Sequence, residues 1–394
     1  MLYRRFGRTE LQMPVFTCGA MRYQQSWNDR DAIAPQNQKN LEACVERALA
    51  AGMNHIETAR GYGTSEGQLG RILPRLPRDK IIVQTKVGPE ADPQRFVKTV
   101  AHSMSLLKVD YLDLLALHGI NSEERLDWSV RKGGCLQAAL QLKKEGRCRF
   151  VGFSSHAGPR ITVPAVNDGR FDYANLHWYW VNPCNDPALQ AAARHDMGVL
   201  IISPNDKGGK LYQPPEKLVK LCAPLSPMVF NDLWCLARKE VHTLSIGAMR
   251  PTDYDEHLKA LAFMKSDAEA RAAFGPVEER LRKEMERVLG KHWLENWHVG
   301  LPEWDATPGG VNIFEILRLG NFAKALDMVE FGKMRYNLLG NADHWFPGNR
   351  ADKLDGLDLT PVLKNSPVAA QIPAALAEAH EILAGKEVKR LGKH

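Results

Sequence analysis

Short apolar runs of strand type alternate with helical patterns along residues 15–264 of this 394-residue chain. Helical patterns lie between most of the runs, among them Gln38–Ala51, Gln94–Leu107, Leu136–Glu145 and Pro187–His195. Eight β units, most of them followed by a helix, predict a (β/α)8 barrel of parallel strands. The eight strand-type runs are Val15–Ala20, His55–Ala59, Ile81–Val87, Tyr111–Leu117, Phe150–Ser154, Tyr173–His177, Gly198–Ser203 and Thr243–Gly247.

A doubly wound open sheet is the alternative fold. It normally has a Gly-x-Gly-x-x-Gly turn after its first strand. The first strand here is followed by 20–23, Ala-Met-Arg-Tyr, which disfavours that fold. The segment Leu2–Leu11, with Gly-Arg-Thr at its middle, predicts an N-terminal β-hairpin before the barrel.

Four polar residues lie at or near the ends of three predicted strands. Glu57 lies near the end of the second run and Tyr62 just beyond it, and Lys86 and His118 lie next to the ends of the third and fourth runs. Because consecutive parallel strands end at the same rim, all four side chains are expected on one rim of the barrel. That rim is where such folds place their chemistry.

These four residue types suit the reduction of a carbonyl group. The reaction needs a proton donor to the developing alkoxide, and free tyrosine, with a pKa of about 10, is an available but sluggish acid. The ammonium of Lys86 would favour the phenolate of Tyr62, and the carboxylate of Glu57 would keep that ammonium charged and oriented. His118, as a neutral imidazole, could hydrogen-bond the carbonyl oxygen and fix its direction.

The same segments resemble the aldo-keto reductase superfamily, whose tetrad is Asp, Tyr, Lys and His on a (β/α)8 barrel. The family pattern Asp-Thr-Ala-x-x-Tyr-Gly-x-Ser-Glu matches residues 57–66 with one change, because Glu57 stands where the family usually has Asp. The charge is retained on a side chain that is one methylene longer. The resemblance implies that the N-terminal hairpin caps the barrel floor and that Tyr62, Lys86, His118 and Glu57 are catalytic.

The resemblance also implies a nicotinamide cofactor. Ser154 and Ser155 correspond to the family's Ser-Asn pair, which holds the nicotinamide carboxamide, and Asn175 takes the place of the family's Gln. The region around Ser203 lacks the stacking Tyr that the family often has there. The remaining cofactor candidates lie on loops suited to phosphate, through backbone N–H groups or cations; they are Ser203, Lys207, Gly208, Gly247 and Arg250.

The choice between NADP and NAD stays open. NADP is the family expectation, and Arg250 is the cation nearest to the usual place for reading the 2′-phosphate. Asp253 occupies that place itself and would repel a phosphate unless its side chain points away.

Beyond the barrel, residues 265–394 form a predicted, mainly helical domain that begins with a helical pattern over Asp267–Leu289. This region resembles the ferredoxin-like domain of one aldo-keto reductase branch, which carries an iron–sulfur cluster on Cys-x2-Cys-x2-Cys-x3-Cys-Pro. No cysteine follows Cys235, so no cluster and no metal are expected. Counted back from Pro308, the four ligand positions hold Thr307, Glu303, Gly300 and Trp297.

Composition narrows the function classes. The chain is 44% hydrophobic and 25% charged, with a mild net charge of +6 that does not suggest a nucleic-acid partner. No apolar run of membrane length occurs, and the start lacks the apolar core of a secretion signal. Seven unclustered cysteines suggest reduced thiols in a cytoplasm.

The combined prediction is an NAD(P)H-dependent reductase of a small aldehyde or ketone, with a barrel over residues 1–264 and the helical domain as a candidate protein-binding module. The alternative is a nucleotide-binding regulatory or scaffold protein with little turnover.

Overall fold

A computed structural model describes residues 1–386 of the chain; residues 387–394, at the end of the predicted helical domain, lie outside the described part. Ten strands are present in it. They are β1 Tyr3–Arg5, β2 Gln12–Pro14, β3 Phe16–Gly19, β4 His55–Glu57, β5 Ile82–Val87, β6 Leu112–His118, β7 Cys148–Ser154, β8 Tyr173–Leu176, β9 Gly198–Ile202 and β10 Thr243–Gly247.

Eight strands close into a parallel barrel in the order β3-β4-β5-β6-β7-β8-β9-β10, with β10 returning to pair with β3. The predicted barrel is therefore confirmed, and the open sheet is excluded. Individual strand ends shift by one or two residues from the predicted runs. His118, for example, lies inside β6 because it pairs with Ser154 of β7.

Sixteen α-helices are described, and most of those before residue 260 connect consecutive barrel strands. They are α1 Pro35–Ala50, α2 Ser65–Leu69, α3 Pro93–Leu107, α4 Glu123–Val130, α5 Cys135–Lys144, α6 Pro159–Asn167, α7 Asp186–Arg194, α8 Glu216–Cys222, α9 Pro227–Leu236, α10 Asp255–Leu258, α11 Asp267–Leu289, α12 Lys291–Asn296, α13 Ile313–Leu326, α14 Val329–Tyr336, α15 Thr360–Leu363 and α16 Ile372–Leu383.

Helix α3 shows how local sequence sets these boundaries. Asp92 caps its N-terminus, since its carboxylate accepts the backbone N–H of Gln94 at 2.9 Å, and Pro93 takes the first helical position, where its missing N–H is harmless. Lys108 ends the helix in the left-handed conformation. The apolar face of α3, including Phe96 and Val100, is fully or almost fully buried.

The interior of the barrel follows the two-residue period of its strands. Side chains at alternate positions point inward, so on β5 the inward set is Ile82, Gln84 and Lys86. An apolar cluster in this interior includes two hairpin residues, Phe6 and Met13. It is formed by Phe6, Met13, Ile82, Leu114, Ala116, Tyr173, Leu200 and Ile202.

The N-terminal hairpin of β1 and β2 closes the floor of the barrel, as expected. The ring of Phe6 lies 5.8 Å from the ring of Tyr173, centroid to centroid, and both are fully buried. The second hairpin strand begins at Gln12, beyond the predicted end of the hairpin at Leu11, because a 3-10 turn over Gly7–Thr9 lengthens the connection.

The described residues form two compact units. The first combines Met1–Gly208 with Asn231–Ala270 and contains the whole barrel. The second combines Gly209–Phe230 with the described residues from Arg271 onward, and it is helical. The sequence boundary at residue 264 stays a prediction. Among residues 1–386 no helix has the length and apolar character needed to cross a membrane.

Candidate active site

Glu57 is the last residue of β4 and is 3% exposed. Its Oε2 accepts a hydrogen bond of 2.8 Å from the hydroxyl of Ser245 on β10. Gly19 of β3 lies between them, and a Cβ atom there would stand 2.6 Å from Ser245 Oγ. Glycine at this strand end therefore leaves the space that lets Ser245 reach the carboxylate.

Lys86, near the end of β5, is fully buried, and its ammonium pairs with Glu57 Oε1. The same nitrogen donates to the backbone oxygen of Thr58 at 2.8 Å. Burial lowers the pKa of Lys86 well below its usual range. The neighbouring carboxylate opposes that effect, because an opposite charge favours the ammonium form.

Tyr62 and His118 complete the group above the ion pair. Their rings are 5.7 Å apart between centroids and meet edge to face at 85°. The Nζ atom of Lys86 lies 4.8 Å from the centroid of the Tyr62 ring. His118 is 8% exposed, whereas Tyr62 is partly exposed and thus accessible to a substrate. The four predicted residues therefore meet at one rim.

A tight turn after β4 places Tyr62. The backbone N–H of Tyr62 donates to Ala59 O at 3.0 Å, and Ser65 N donates to Tyr62 O at 3.1 Å. Gly63 has a φ of +54°, and a Cβ atom there would lie 1.9 Å from Ser26 O. Only glycine fits that position, so Gly63 fixes the direction of the turn that carries the phenol.

A buried carboxylate that sequence reasoning did not assign stabilises this turn. Glu66 is fully buried; it accepts a hydrogen bond from Thr85 on β5 at 2.6 Å and pairs with Arg60 at 2.5 Å. Burial raises the pKa of Glu66. The Ser-Glu ending of the matched segment could have indicated it, since acidic side chains are favoured in the first turn of a helix and Glu66 lies in the first turn of α2.

Arg125 of α4 holds the backbone beside His118. Its guanidinium donates to His118 O at 3.0 Å and to Gly119 O at 2.6 Å. Ser154 Oγ accepts the N–H of Gly119 at 3.0 Å. These contacts fix the strand end from two sides, and nothing in the local sequence around His118 predicts Arg125.

The ends of β7 and β8 bring three cofactor candidates together. Asn175 is fully buried, and among residues 1–386 neither its Oδ1 nor its Nδ2 has a hydrogen-bond partner. Such an amide offers one acceptor and two donors, which is what a carboxamide needs. Ser155 Oγ instead donates to Ile120 O at 2.6 Å, so its hydroxyl already holds a loop of the protein.

Lys207, in the loop after β9, lies among histidines at the same rim. Its Nζ is 3.3 Å from Nδ1 of His156 and 3.2 Å from Nε2 of His177. The two imidazoles lie 4.3 Å apart between ring centroids. Three groups that carry or can carry positive charge therefore converge here.

The loop that carries Lys207 is tightly folded. Ser203 has a φ of +56°, and its backbone oxygen accepts the N–H of Lys207 at 3.0 Å. A Cβ atom on Gly208 would stand 2.0 Å from Pro204 O, so glycine is required there. These contacts set the loop conformation without assigning it a ligand.

The last barrel strand ends at Gly247, which faces the side chain of Arg22. Beyond it, Arg250 is largely exposed and pairs with Asp253 at 3.1 Å. The other oxygen of Asp253 accepts the backbone N–H groups of Met249 and Arg250, at 2.9 and 3.1 Å. The carboxylate that was expected to repel a phosphate therefore caps the turn and neutralises the nearest cation.

At the carboxyl rim of the parallel (β/α)8 barrel, the buried Lys86–Glu57 pair thus lies beside a tyrosine and a histidine that contact each other. Residues 16–204 match the family model described as Aldo/keto reductase family. This part of the chain is an aldo/keto reductase family domain, as the sequence resemblance indicated.

Two curated proteins illustrate the similarity of this chain to known enzymes. The chain is 33% identical over 160 residues to L-galactose dehydrogenase of Arabidopsis thaliana, covering 38% of this chain and 47% of that protein. It is 23% identical over 284 residues to the NADH-specific methylglyoxal reductase of Escherichia coli, covering 58% of this chain and 86% of that protein. The chain spans about half the length of the curated relatives that match it first.

Solved structures share the fold. The holo form of an aldo-keto reductase from Bacillus halodurans superposes with a TM-score of 0.59 at 21% identity, covering 70% of this chain and 96% of that one. An aldo-keto reductase from Klebsiella pneumoniae in complex with NADPH gives a TM-score of 0.55 at 18% identity, covering 69% and 94%. At these sequence identities, the structural similarity establishes the barrel fold alone.

Proposed function

We propose that this protein reduces an aldehyde or ketone at the expense of NAD(P)H, with Tyr62 as the general acid. The observation that carries the proposal is the fully buried Lys86, which pairs with Glu57 and lies 4.8 Å from the Tyr62 ring centroid. A buried ion pair has a large desolvation cost and stabilises a fold poorly. Its place beside the partly exposed phenol of Tyr62 fits catalysis better than a purely structural role.

Each of the four side chains has a distinct role. Tyr62 donates its phenolic proton to the alkoxide oxygen that develops as the carbonyl is reduced. Lys86 stabilises the phenolate left behind through its positive charge, and Glu57 keeps Lys86 charged and oriented. His118 donates a hydrogen bond to the carbonyl oxygen and orients it toward Tyr62.

A reduced nicotinamide supplies the hydride when it is bound. The residues present fit that group, because the unpartnered amide of Asn175 matches a carboxamide in both donor and acceptor. Ser154 and Ser155 would hold the same end of the cofactor, and Lys207 with Gly208 would meet its phosphates, joined by Ser203 and Gly247. NADP is the proposed form, with NAD as the alternative because Asp253 neutralises Arg250.

The proposal also includes the substrate, a protein partner and the cellular compartment. The substrate would be a small carbonyl compound, the helical unit a site for a protein partner, and the compartment the cytoplasm. All seven cysteines are free thiols, which supports a reducing compartment.

The decisive experiment measures NAD(P)H oxidation with a panel of aldehydes and ketones, using the wild-type chain and Tyr62→Phe. We expect turnover by the wild type and a loss of about 10²- to 10⁴-fold in kcat/KM in the variant, the range for a positioned general acid. The cofactor Kd, followed by tryptophan fluorescence, should stay unchanged. Cofactor binding without turnover on any carbonyl would favour the nucleotide-binding regulatory protein instead.

Cofactor choice has its own test. Arg250→Ala should weaken NADPH binding by a few-fold more than NADH binding, because only NADPH carries a 2′-phosphate for the guanidinium. Asp253→Asn is the matched variant: it frees Arg250 of its charged partner and should strengthen NADPH selectively. Equal changes for both cofactors would show that Arg250 does not read the 2′-phosphate.

A further inference from the structure

The helical unit contains a cavity of about 240 Å³ that the proposed reaction does not use. Its walls come from the end of α11, from α12, α13 and α16, and from the turn before α16. Trp293, Leu317 and Ala379 contribute buried apolar side chains to a lining that also contains polar ones. A volume of this size suits a molecule smaller than a typical drug.

Asn321 of α13 lines this cavity and is 6% exposed. Its Oδ1 accepts the indole N–H of Trp293 at 2.8 Å. Because an indole only donates, this bond fixes which end of the amide is the oxygen. The Nδ2 group is then a donor, and it has no acceptor among residues 1–386. A buried donor without an acceptor is costly, and a bound acceptor would remove that cost.

The charges at this cavity are already balanced. Lys324, one turn after Asn321 on α13, pairs with Glu378 of α16 at 2.7 Å, and both side chains are more than 40% exposed. A charged ligand would therefore find no uncompensated partner at the mouth. The opening is bordered by Ala374 and Ala375, whose small side chains leave it wide.

We propose that this cavity binds a small, uncharged molecule that has an apolar part and accepts one hydrogen bond from Asn321 through a carbonyl oxygen. Trp293 and Leu317 bury the apolar part of the ligand, and the amide of Asn321 selects molecules with an acceptor. The site lies wholly within the helical unit, so it is independent of the proposed reductase chemistry.

The test compares acetophenone with ethylbenzene, which has the same skeleton without the carbonyl oxygen. Each is titrated into the full chain, with no nicotinamide present, and its Kd is measured by saturation-transfer NMR. We expect acetophenone to bind at least about fivefold more tightly, since one satisfied buried donor is worth that much or more. Equal affinities would overturn the proposal.

Two variants of α16 locate the binding. Ala374→Phe fills the mouth of the cavity and should abolish the preference for acetophenone. Ala377→Phe, on an exposed position of the same helix outside the cavity lining, should leave it unchanged. Acetophenone binding that survives Ala374→Phe belongs elsewhere, including the barrel rim, and would overturn the site without affecting the proposed reduction.

Asn321→Asp separates the hydrogen bond from the shape of the cavity. It keeps an acceptor for Trp293 and replaces the free donor with an oxygen. We expect acetophenone to lose its advantage of about fivefold while ethylbenzene binds as before. An undiminished preference in Asn321→Asp would show that the amide does not recognise the ligand.

Discussion

Two buried polar clusters in the barrel lie two residues apart on β4 and differ in charge. The upper cluster, at the rim, is ionic: Glu57 pairs with Lys86. The lower cluster is uncharged: the hydroxyl of Thr17 bonds His55 Nδ1 and Thr243 Oγ1, each at 2.8 Å. Both clusters are inaccessible to solvent, so burial alone does not explain why only one of them is charged.

The difference between the two clusters fits the role proposed for the rim residues. The lower cluster needs only to satisfy buried donors and acceptors, and neutral groups do this at a smaller desolvation cost. Accordingly, burial lowers the pKa of His55 to about 3 and keeps its imidazole neutral. The upper cluster keeps a cation beside Tyr62 despite the cost. Because burying the Lys86 ammonium has a desolvation cost, its presence supports a functional role for the rim cluster. The neutral cluster below it is explained by stability alone.

The largest expected effect comes from removing the cation. Lys86→Met should lower kcat/KM by about 10³-fold, within the range for losing general-acid catalysis. It should also lower the free energy of unfolding by about 3–5 kcal/mol, because it leaves the carboxylate of Glu57 buried without an opposite charge. Steady-state kinetics and urea unfolding measure the two effects separately.

The double variant Glu57→Gln/Lys86→Met distinguishes the two roles. Removing both charges should restore most of the lost stability, since a buried ion pair replaced as a unit is often neutral or stabilising. Activity should stay at the level of Lys86→Met. Recovery of activity along with stability would mean that the ion pair only supports the fold. The rim cluster would then be structural, like the lower cluster.

The lower cluster should instead show its effect in the pH dependence of stability. The pKa of His55 is about 3 in the folded chain and about 6.5 when unfolded. Between these values the unfolded state binds one more proton, so stability falls as the pH falls below 6.5. From pH 7 to pH 5 this should cost about 2 kcal/mol.

His55→Gln should remove that part of the acid sensitivity in urea unfolding at the two pH values. His102→Gln is the matched control, because His102 is exposed on α3 and its loss should leave the pH dependence unchanged. If His55→Gln and His102→Gln lose stability equally between pH 7 and pH 5, the lower cluster does not hold a neutral imidazole.

The sequence predicted the barrel and the grouping of the four rim residues because both depend on local patterns. Alternating strand and helix runs specify the barrel, and the strand ends place Lys86 and His118 on one rim. It did not predict Ser245 as the partner of Glu57, 188 positions away. That contact exists only because β10 closes onto β3, and such closure is a property of the whole barrel.

The pairing of Arg250 with Asp253 is another contact that depends on the fold. The sequence indicates that Asp253 would repel a bound phosphate unless its side chain points away. In the fold it caps two backbone N–H groups and pairs with Arg250. The direction of one carboxylate decides between these interpretations, and a single sequence does not specify that direction.

The smallest expected effect comes from altering the support of the ion pair while keeping its charges. Glu57→Asp draws the carboxylate back from Ser245, which now donates to it at 2.8 Å, and from Lys86. We expect kcat to fall about tenfold, equivalent to one weakened hydrogen bond to a charged group. Ser245→Ala removes only the hydroxyl and should cost about threefold by the same reasoning. Cofactor Kd should stay constant in both. If Glu57→Asp is as active as the wild type, the longer side chain is not what positions Lys86, and the rim tolerates either acid because the ammonium is held mainly by Thr58 O.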